Sequence, residues 1–192
     1  MPNLMIILGS TRPGRVGLPV ARWFEQRARE HGGFDLALAD LAELDLPLLN
    51  EPKHPRLHDY RHEHTKHWSE MVAAADAFVL VTSEYNHSYP APLKNAIDYL
   101  HHEWRDKPVG FVSYGGVAAG TRALQALEPV VNVLGMHPVP VAVNIPFIAQ
   151  FLGEDGEIHA NEIMDQAADN MLDELVRIEG ALAPLRAEAV RA

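Results

Sequence analysis

Leu4-Met5-Ile6-Ile7-Leu8 runs straight into Gly9-Ser10-Thr11-Arg12-Pro13-Gly14-Arg15-Val16-Gly17, and this stretch decides the fold. The apolar run is short and continuous, which suits a strand buried on both faces, as in a parallel sheet. The segment after it mixes glycines, hydroxyls and arginines. It then opens Gly17–His31, where Leu18, Ala21, Phe24 and Ala28 recur at helical spacing. Buried strand, glycine-bearing loop and amphipathic helix together make the start of a βαβ unit.

The same alternation continues along the chain. Phe34–Ala39, Ala77–Val81, Val109–Val112 and Val139–Val143 are further short apolar runs. Between and after them, Pro92–His102, Thr121–Leu134 and Ala160–Leu182 carry apolar residues at helical spacing, most strongly in the last, and Leu57–Ala75, polar at first and then apolar, is long enough for a further crossover helix. Five strands alternating with five helices predict one α/β domain over residues 1–192, an open parallel sheet with helices on both faces. Ala183–Ala192 is expected to be a frayed tail. In such a sheet, ligands sit beyond the carboxyl ends of the strands. The loops after Leu8, Val81 and Val112 are therefore where chemistry belongs.

The first of these loops suits a phosphate. Glycines allow a tight turn, hydroxyls donate, a helix N-terminus offers free N–H groups, and Arg12 and Arg15 add charge-assisted bonds. The bland alternative is a plain βα turn with surface arginines. Two familiar motifs do not fit: Arg15 and Val16 stand where a Walker A loop has Lys and Ser/Thr, and Thr11 takes the second glycine position of GxGxxG. The second loop, Thr82–Pro90, gathers Glu84, Tyr85, Asn86, His87, Ser88 and Tyr89, the mixture of ring faces and amides that holds a flat heteroaromatic ligand. The third, Ser113–Gly120, has paired glycines that let backbone approach a ligand closely.

Composition excludes several alternatives. Lys+Arg 16 against Asp+Glu 26 gives a formal charge of −10, which argues against a nucleic-acid partner. With no cysteine, disulfides, Fe–S clusters and thiol nucleophiles are all absent, in keeping with a cytoplasmic protein. The N-terminus lacks the basic region of a signal peptide. The charge-free stretch from Pro129 to Gly153 is broken by Pro138, Pro140 and Pro146, so no membrane-spanning helix is expected.

Gly9-Ser10-Thr11-Arg12, Ser83-Glu84-Tyr85-Asn86 with Pro92-Leu93-Lys94-Asn95-Ala96-Ile97-Asp98, and Ser113-Tyr114-Gly115-Gly116 together resemble the NADPH-dependent FMN reductase family. The resemblance covers about residues 3–143. It implies a flavodoxin-like three-layer sandwich with a five-stranded parallel sheet in the order 2-1-3-4-5. It also implies FMN as cofactor, NAD(P)H as co-substrate, and a small acceptor such as a quinone, free flavin, azo dye or metal oxyanion. By that similarity Ser10, Arg12, Arg15, Val16 and Gly17 meet the FMN phosphate. Glu84, Tyr85, Asn86 and Ser88 meet the ring, and Ser113, Gly115 and Gly116 close the site. Ser83 and Ala119 depart from the family, which usually has proline and often glycine there. Because a flavin carries the hydride chemistry, no catalytic acid or base is assigned. The rival readings are a flavodoxin-type electron carrier, against which Arg12 and Arg15 argue, and a non-catalytic flavin sensor.

Other residues invite overreading. His54, His58, His62, His64 and His67 have spacings a metal site can use, but Lys66 stands where an HExxH motif needs its second histidine. A solvated or interfacial helix face is the expectation, with no metal. Lys94 and Asp98 are expected to pair along a helix. Tyr99 and Trp104 are expected to add aromatic surface to a homodimer, or dimer-of-dimers, contact centred on Pro92–His102. Phe147, Ile148 and Phe151 either cover the core or form a partner-facing flap over the acceptor site.

Overall fold

Strand β1 (Asn3–Leu8) lies between β2 (Asp35–Asp40) and β3 (Ala77–Ser83), and β4 (Pro108–Tyr114) and β5 (His137–Ile145) follow, all parallel. The order is therefore 2-1-3-4-5, as expected. The computed structural model describes residues 1–189. Every residue of β3 and β4 is buried, which is why their sequences show no polar alternation. Edge strand β5 is only half covered, and there Pro138 and Pro140 are tolerated beside a register shift at Val109/Phe111.

Alternate residues of each strand face opposite layers. Leu4, Ile6 and Leu8 pack with Val20 and Phe24 of α1 (Gly17–His31) and with Met171, Leu172 and Leu175 of α6 (Glu162–Ala189). Met5 and Ile7 pack with the other layer: Trp68 and Val72 of α3 (Glu63–Ala74), Leu93 and Ile97 of α4 (Ala91–Asp98), and Leu124 and Leu127 of α5 (Thr121–Val133). A short α2 (Leu41–Leu44) follows β2, capped by Asp40.

Four expectations need correction. The helix expected from Leu57 begins at Glu63; a 3₁₀ turn, Pro55–Leu57, ends at His58, whose left-handed backbone breaks the run. The helix expected to reach His102 stops at Asp98, and a second 3₁₀ turn, His102–Trp104, folds back. That fold-back buries Trp104 completely against Phe78 and Trp68, and Tyr99 is buried too. Neither ring adds aromatic surface to a dimer contact. Finally, the expected tail is helical through Ala189: Arg186 donates to the Asp106 carbonyl at 2.9 Å and to Glu179 at 2.5 Å, pinning it to the body. The rest of that tail, residues 190–192, lies outside the described residues.

Candidate functional site

At the carboxyl edge of the sheet, the ends of β1, β3 and β4 bring three loops around one cleft. Arg12, Arg15, Ser83, Glu84, Tyr85 and Gly115 are in its walls, together with Val16, Tyr114 and Ile148. The first loop is held open by its fit to the helix. Gly17 is buried, and a Cβ there would lie 2.5 Å from the Tyr114 hydroxyl and closer still to Ser10 Oγ, so only glycine lets α1 start this near the sheet. The Tyr114 hydroxyl donates to Ser10 Oγ at 3.1 Å, and burial pushes the phenol up, which keeps it a neutral donor. Among the described residues, the backbone N–H groups of Ser10, Thr11, Arg12, Val16 and Gly17 have no backbone acceptor, as expected of a helix N-terminus and the loop before it.

Arg12 is exposed at the mouth. Arg15 lies flatter and is ion-paired to Asp40, which is buried at the end of β2 and also accepts the Ala42 N–H. Arg15 Nε is buried with no partner.

The second loop is a tight turn. Tyr85 and Ser88 exchange backbone bonds of 2.8 and 2.9 Å across Asn86 (φ 50°) and His87 (φ 67°), the two consecutive left-handed residues of a type I′ hairpin turn. Tyr85 is thereby presented outward. The Glu84 carboxylate turns back and pairs with Arg122, which also donates to His87 Nε2 at 2.9 Å. Arg122 so grips the turn from the start of α5. Glu84 Oε2 and Ser83 Oγ remain buried and unpartnered.

The third loop places its residues differently. Gly115 and Gly116 reach the cleft region and accept the N–H groups of Ile148 and Phe147, each at 3.1 Å. Ser113 faces inward: its hydroxyl donates to the Ala119 carbonyl at 2.7 Å, with the Asn144 amide at 2.8 Å. It braces the loop and lies behind the cleft wall. Ala119 (φ 53°) and Gly120 (φ 79°) are both left-handed, so Ala119 occupies a conformation that favours glycine.

Of the residues singled out from the sequence, Arg12, Arg15, Val16, Glu84, Tyr85 and Gly115 line the cleft, and Ser10 and Gly17 support it. Asn86, Ser88 and Gly116 shape its loops. Asp40, Arg122 and Asn144 had no role in the sequence reading; Tyr114 stood there only within the Ser113–Gly116 motif, and Ile148 only as core cover or flap. Asp40 had one visible signal, a carboxylate at the carboxyl end of a strand. Arg122 had none, being one polar residue among many on a helix.

The histidine segment folds away from this edge. His62 and His64 stack at 5.1 Å, and His64 Nε2 lies 3.2 Å from the Asn50 amide oxygen. Asn95 donates to the Pro47 carbonyl at 2.7 Å and accepts from the Leu49 N–H, and Tyr99 donates to the Pro47 carbonyl at 3.0 Å, so α4 holds the strap that carries the histidines. Among the described residues, no three His, Asp or Glu side chains are arranged to hold a metal ion. No helix there is long and apolar enough to cross a membrane. Lys94 and Asp98 pair along α4 as expected.

A parallel sheet in this order, with a phosphate-type loop and an aromatic turn at its carboxyl edge, is the arrangement of flavodoxin-like flavoenzymes. The sequence profile of the NADPH-dependent FMN reductases matches residues 2–150. An NAD(P)H-dependent FMN reductase of Schizosaccharomyces pombe is 40% identical over 149 residues, covering 76% of this chain and 74% of its own. An FMN-dependent NADPH-azoreductase of Staphylococcus aureus is 30% identical over 169 residues, covering 82% and 84%. The structure of FerB, a flavoenzyme NAD(P)H:(acceptor) oxidoreductase of Paracoccus denitrificans, superposes with a TM-score of 0.74 at 22% identity, covering 94% of this chain and 98% of that one. The chain belongs to the NADPH-dependent FMN reductase family and is an oxidoreductase that works with FMN and a reduced nicotinamide.

Proposed function

We propose that the carboxyl-edge cleft holds FMN and that the protein passes reducing equivalents from NAD(P)H to a small acceptor such as a quinone, free flavin, azo dye or metal oxyanion. One observation carries this reading: three polar atoms in the cleft walls, Arg15 Nε, Ser83 Oγ and Glu84 Oε2, are buried without partners. Buried polar atoms are nearly always paired, so these mark where a ligand completes the bonding. The residues fit FMN. Arg12, Arg15 and the free N–H groups from Ser10 to Gly17 would hold the phosphate. Tyr85, Asn86, Ser88, Gly115 and Gly116 would frame the ring. When bound, FMN supplies hydride acceptance and donation; the chain supplies orientation and charge. No side chain is assigned proton transfer.

A flavodoxin-type carrier or a sensor would bind FMN without consuming NADPH. Protein mixed with FMN and NADPH under air should oxidise the nicotinamide continuously; a single stoichiometric change would support the carrier. Arg12→Ala should weaken FMN binding about ten- to hundredfold if its charge-assisted bonds form. An unchanged affinity removes Arg12 from the site.

The active form in this reading is a homodimer or dimer of dimers. Support comes from the position of α4, which starts directly after the turn loop and leaves Lys94, Asn95 and Asp98 partly exposed. Light scattering should give two or four times 21.3 kDa. Consumption of NADPH points to action in the cytoplasm.

A further inference from the structure

The tip of the first loop is fastened to the body through one side chain. Arg15 N–H donates to the Arg12 carbonyl at 3.1 Å across Pro13 and Gly14, whose φ is 70°. Proline second and a left-handed glycine third define a type II β-turn, so Arg12 and Arg15 stand at the two ends of one turn. Arg12, Pro13 and Gly14 are exposed, and a Cβ on Gly14 would meet nothing within 4 Å. Core packing therefore does not hold this tip. Among the described residues, the pair of Arg15 with Asp40 is the only side-chain hydrogen bond or ion pair that Thr11–Arg15 makes.

Asp40 is placed to be a fixed partner. It ends β2 in register with Leu8, the last residue of β1 before the loop. Its side chain is 4% exposed, and its two oxygens have separate tasks: Oδ1 accepts the Ala42 N–H that starts α2, and Oδ2 takes Arg15 Nη2. A carboxylate this buried stays with its partners, so it fixes where the guanidinium sits. Arg15 remains in the cleft wall with its Nε buried and unpartnered. The two arginines thus differ. Arg12 offers a free charge, and Arg15 offers a held fork whose charge Asp40 already balances.

Resting on the functional reading above, we propose that Asp40 is a positioning residue for the cofactor phosphate: from the end of β2 it fixes the Arg15 guanidinium, and with it the turn Arg12–Arg15, so that FMN meets a preformed cradle. Asp40 acts through Arg15 and not on the flavin itself. A carboxylate near a phosphate also repels it. Ordering of the guanidinium outweighs that repulsion, because a preorganised fork loses less side-chain entropy on binding.

The test titrates FMN and riboflavin, followed by flavin fluorescence, into the apoprotein of the wild type, Asp40→Asn, Asp40→Ser, Arg15→Ala and the double variant Asp40→Asn, Arg15→Ala. Asparagine and serine each keep an oxygen for the Ala42 N–H, so both remove the ion pair and spare the α2 cap; the smaller serine keeps the comparison if Asp40→Asn does not fold. The ratio of FMN to riboflavin affinity should fall about tenfold in Asp40→Asn and Asp40→Ser, with riboflavin affinity unchanged. In the Arg15→Ala background, Asp40→Asn should lower the ratio no further, since its partner is gone. An unchanged or raised ratio in the single Asp40 variants, an equal loss for both flavins, or the same fall in the Arg15→Ala background overturns the positioning role. A wild-type protein that binds both flavins equally overturns the functional reading of the loop, and leaves Asp40 nothing to position.

Discussion

The two ends of the sheet hold charge in opposite ways. The amino end has the larger hollow, about 550 Å³, with Asp76, Glu103, Lys107 and Arg186 in its walls. There the buried charges are provided for within the chain. Glu103 accepts from Tyr60 at 2.9 Å, Ser69 at 2.6 Å and the His101 N–H at 3.1 Å. Lys107 donates to the Val72 and Ala73 carbonyls that end α3, at 2.9 and 3.2 Å. The carboxyl-edge cleft is smaller, about 180 Å³, yet three of its wall atoms are buried without partners. Of the eight buried side-chain atoms without a partner among the described residues, three gather in this cleft, and in our reading that gathering, rather than volume, marks the ligand's place, because a folded chain leaves buried polar atoms unpaired only at a cost.

If that contrast holds, substitutions at the amino end should change stability most, and those at the carboxyl edge should change stability little and act mainly on binding. The largest effect is expected for Glu103→Ala. Burial alone would raise this carboxyl, but the donors from Ser69, Tyr60 and His101 hold it below the usual range. Removing it strands three donors, and urea unfolding should show a loss of about 2–4 kcal/mol. A loss under about 1 kcal/mol would mean that the amino-end network is slack.

Lys107 gives the next effect. Burial, reinforced by Arg186, lowers its pKa from 10.5 to about 8. Between those values the unfolded chain binds the extra proton, so this residue's contribution to stability rises with pH from about 8 to 10.5. Relative to Lys107→Met, the wild type should gain about 1–3 kcal/mol across that window. A difference independent of pH would contradict the burial of a charged amine there.

The smallest effect belongs to the carboxyl edge. Ala119→Gly should stabilise the protein by about 1 kcal/mol by relieving its left-handed backbone, as thermal unfolding would show. A destabilised variant would mean that the Ala119 methyl contributes more to packing than its strain costs.

The carboxyl edge was also the more legible end in the sequence. Its strands are continuous apolar runs, and its loops carry the glycines, hydroxyls and arginines that only a few ligands require. The amino end was misread because local patterns stop where tertiary folding takes over. The helical run stops at Asp98, and the chain turns Trp104 inward through a 3₁₀ turn that starts after His101, so a ring expected on an interface fills the core. Arg186 sits in the segment expected to fray, and only the fold reveals Glu179 and the Asp106 carbonyl beside it. Within the site, Ser113 was legible as a loop residue but its inward direction was not. That direction depends on Asn144, which β5 sets directly beside Ser113 and which no motif in the sequence marks.

The most direct test of the account is a fluorescence titration of the apoprotein with FMN and with riboflavin, which differ only in the phosphate. If the loop from Ser10 to Gly17 holds that phosphate with two guanidinium groups and free N–H groups, FMN should bind at least about a hundredfold more tightly. Equal affinity for the two flavins would contradict the phosphate loop, and with it the reading of the carboxyl edge as the cofactor site.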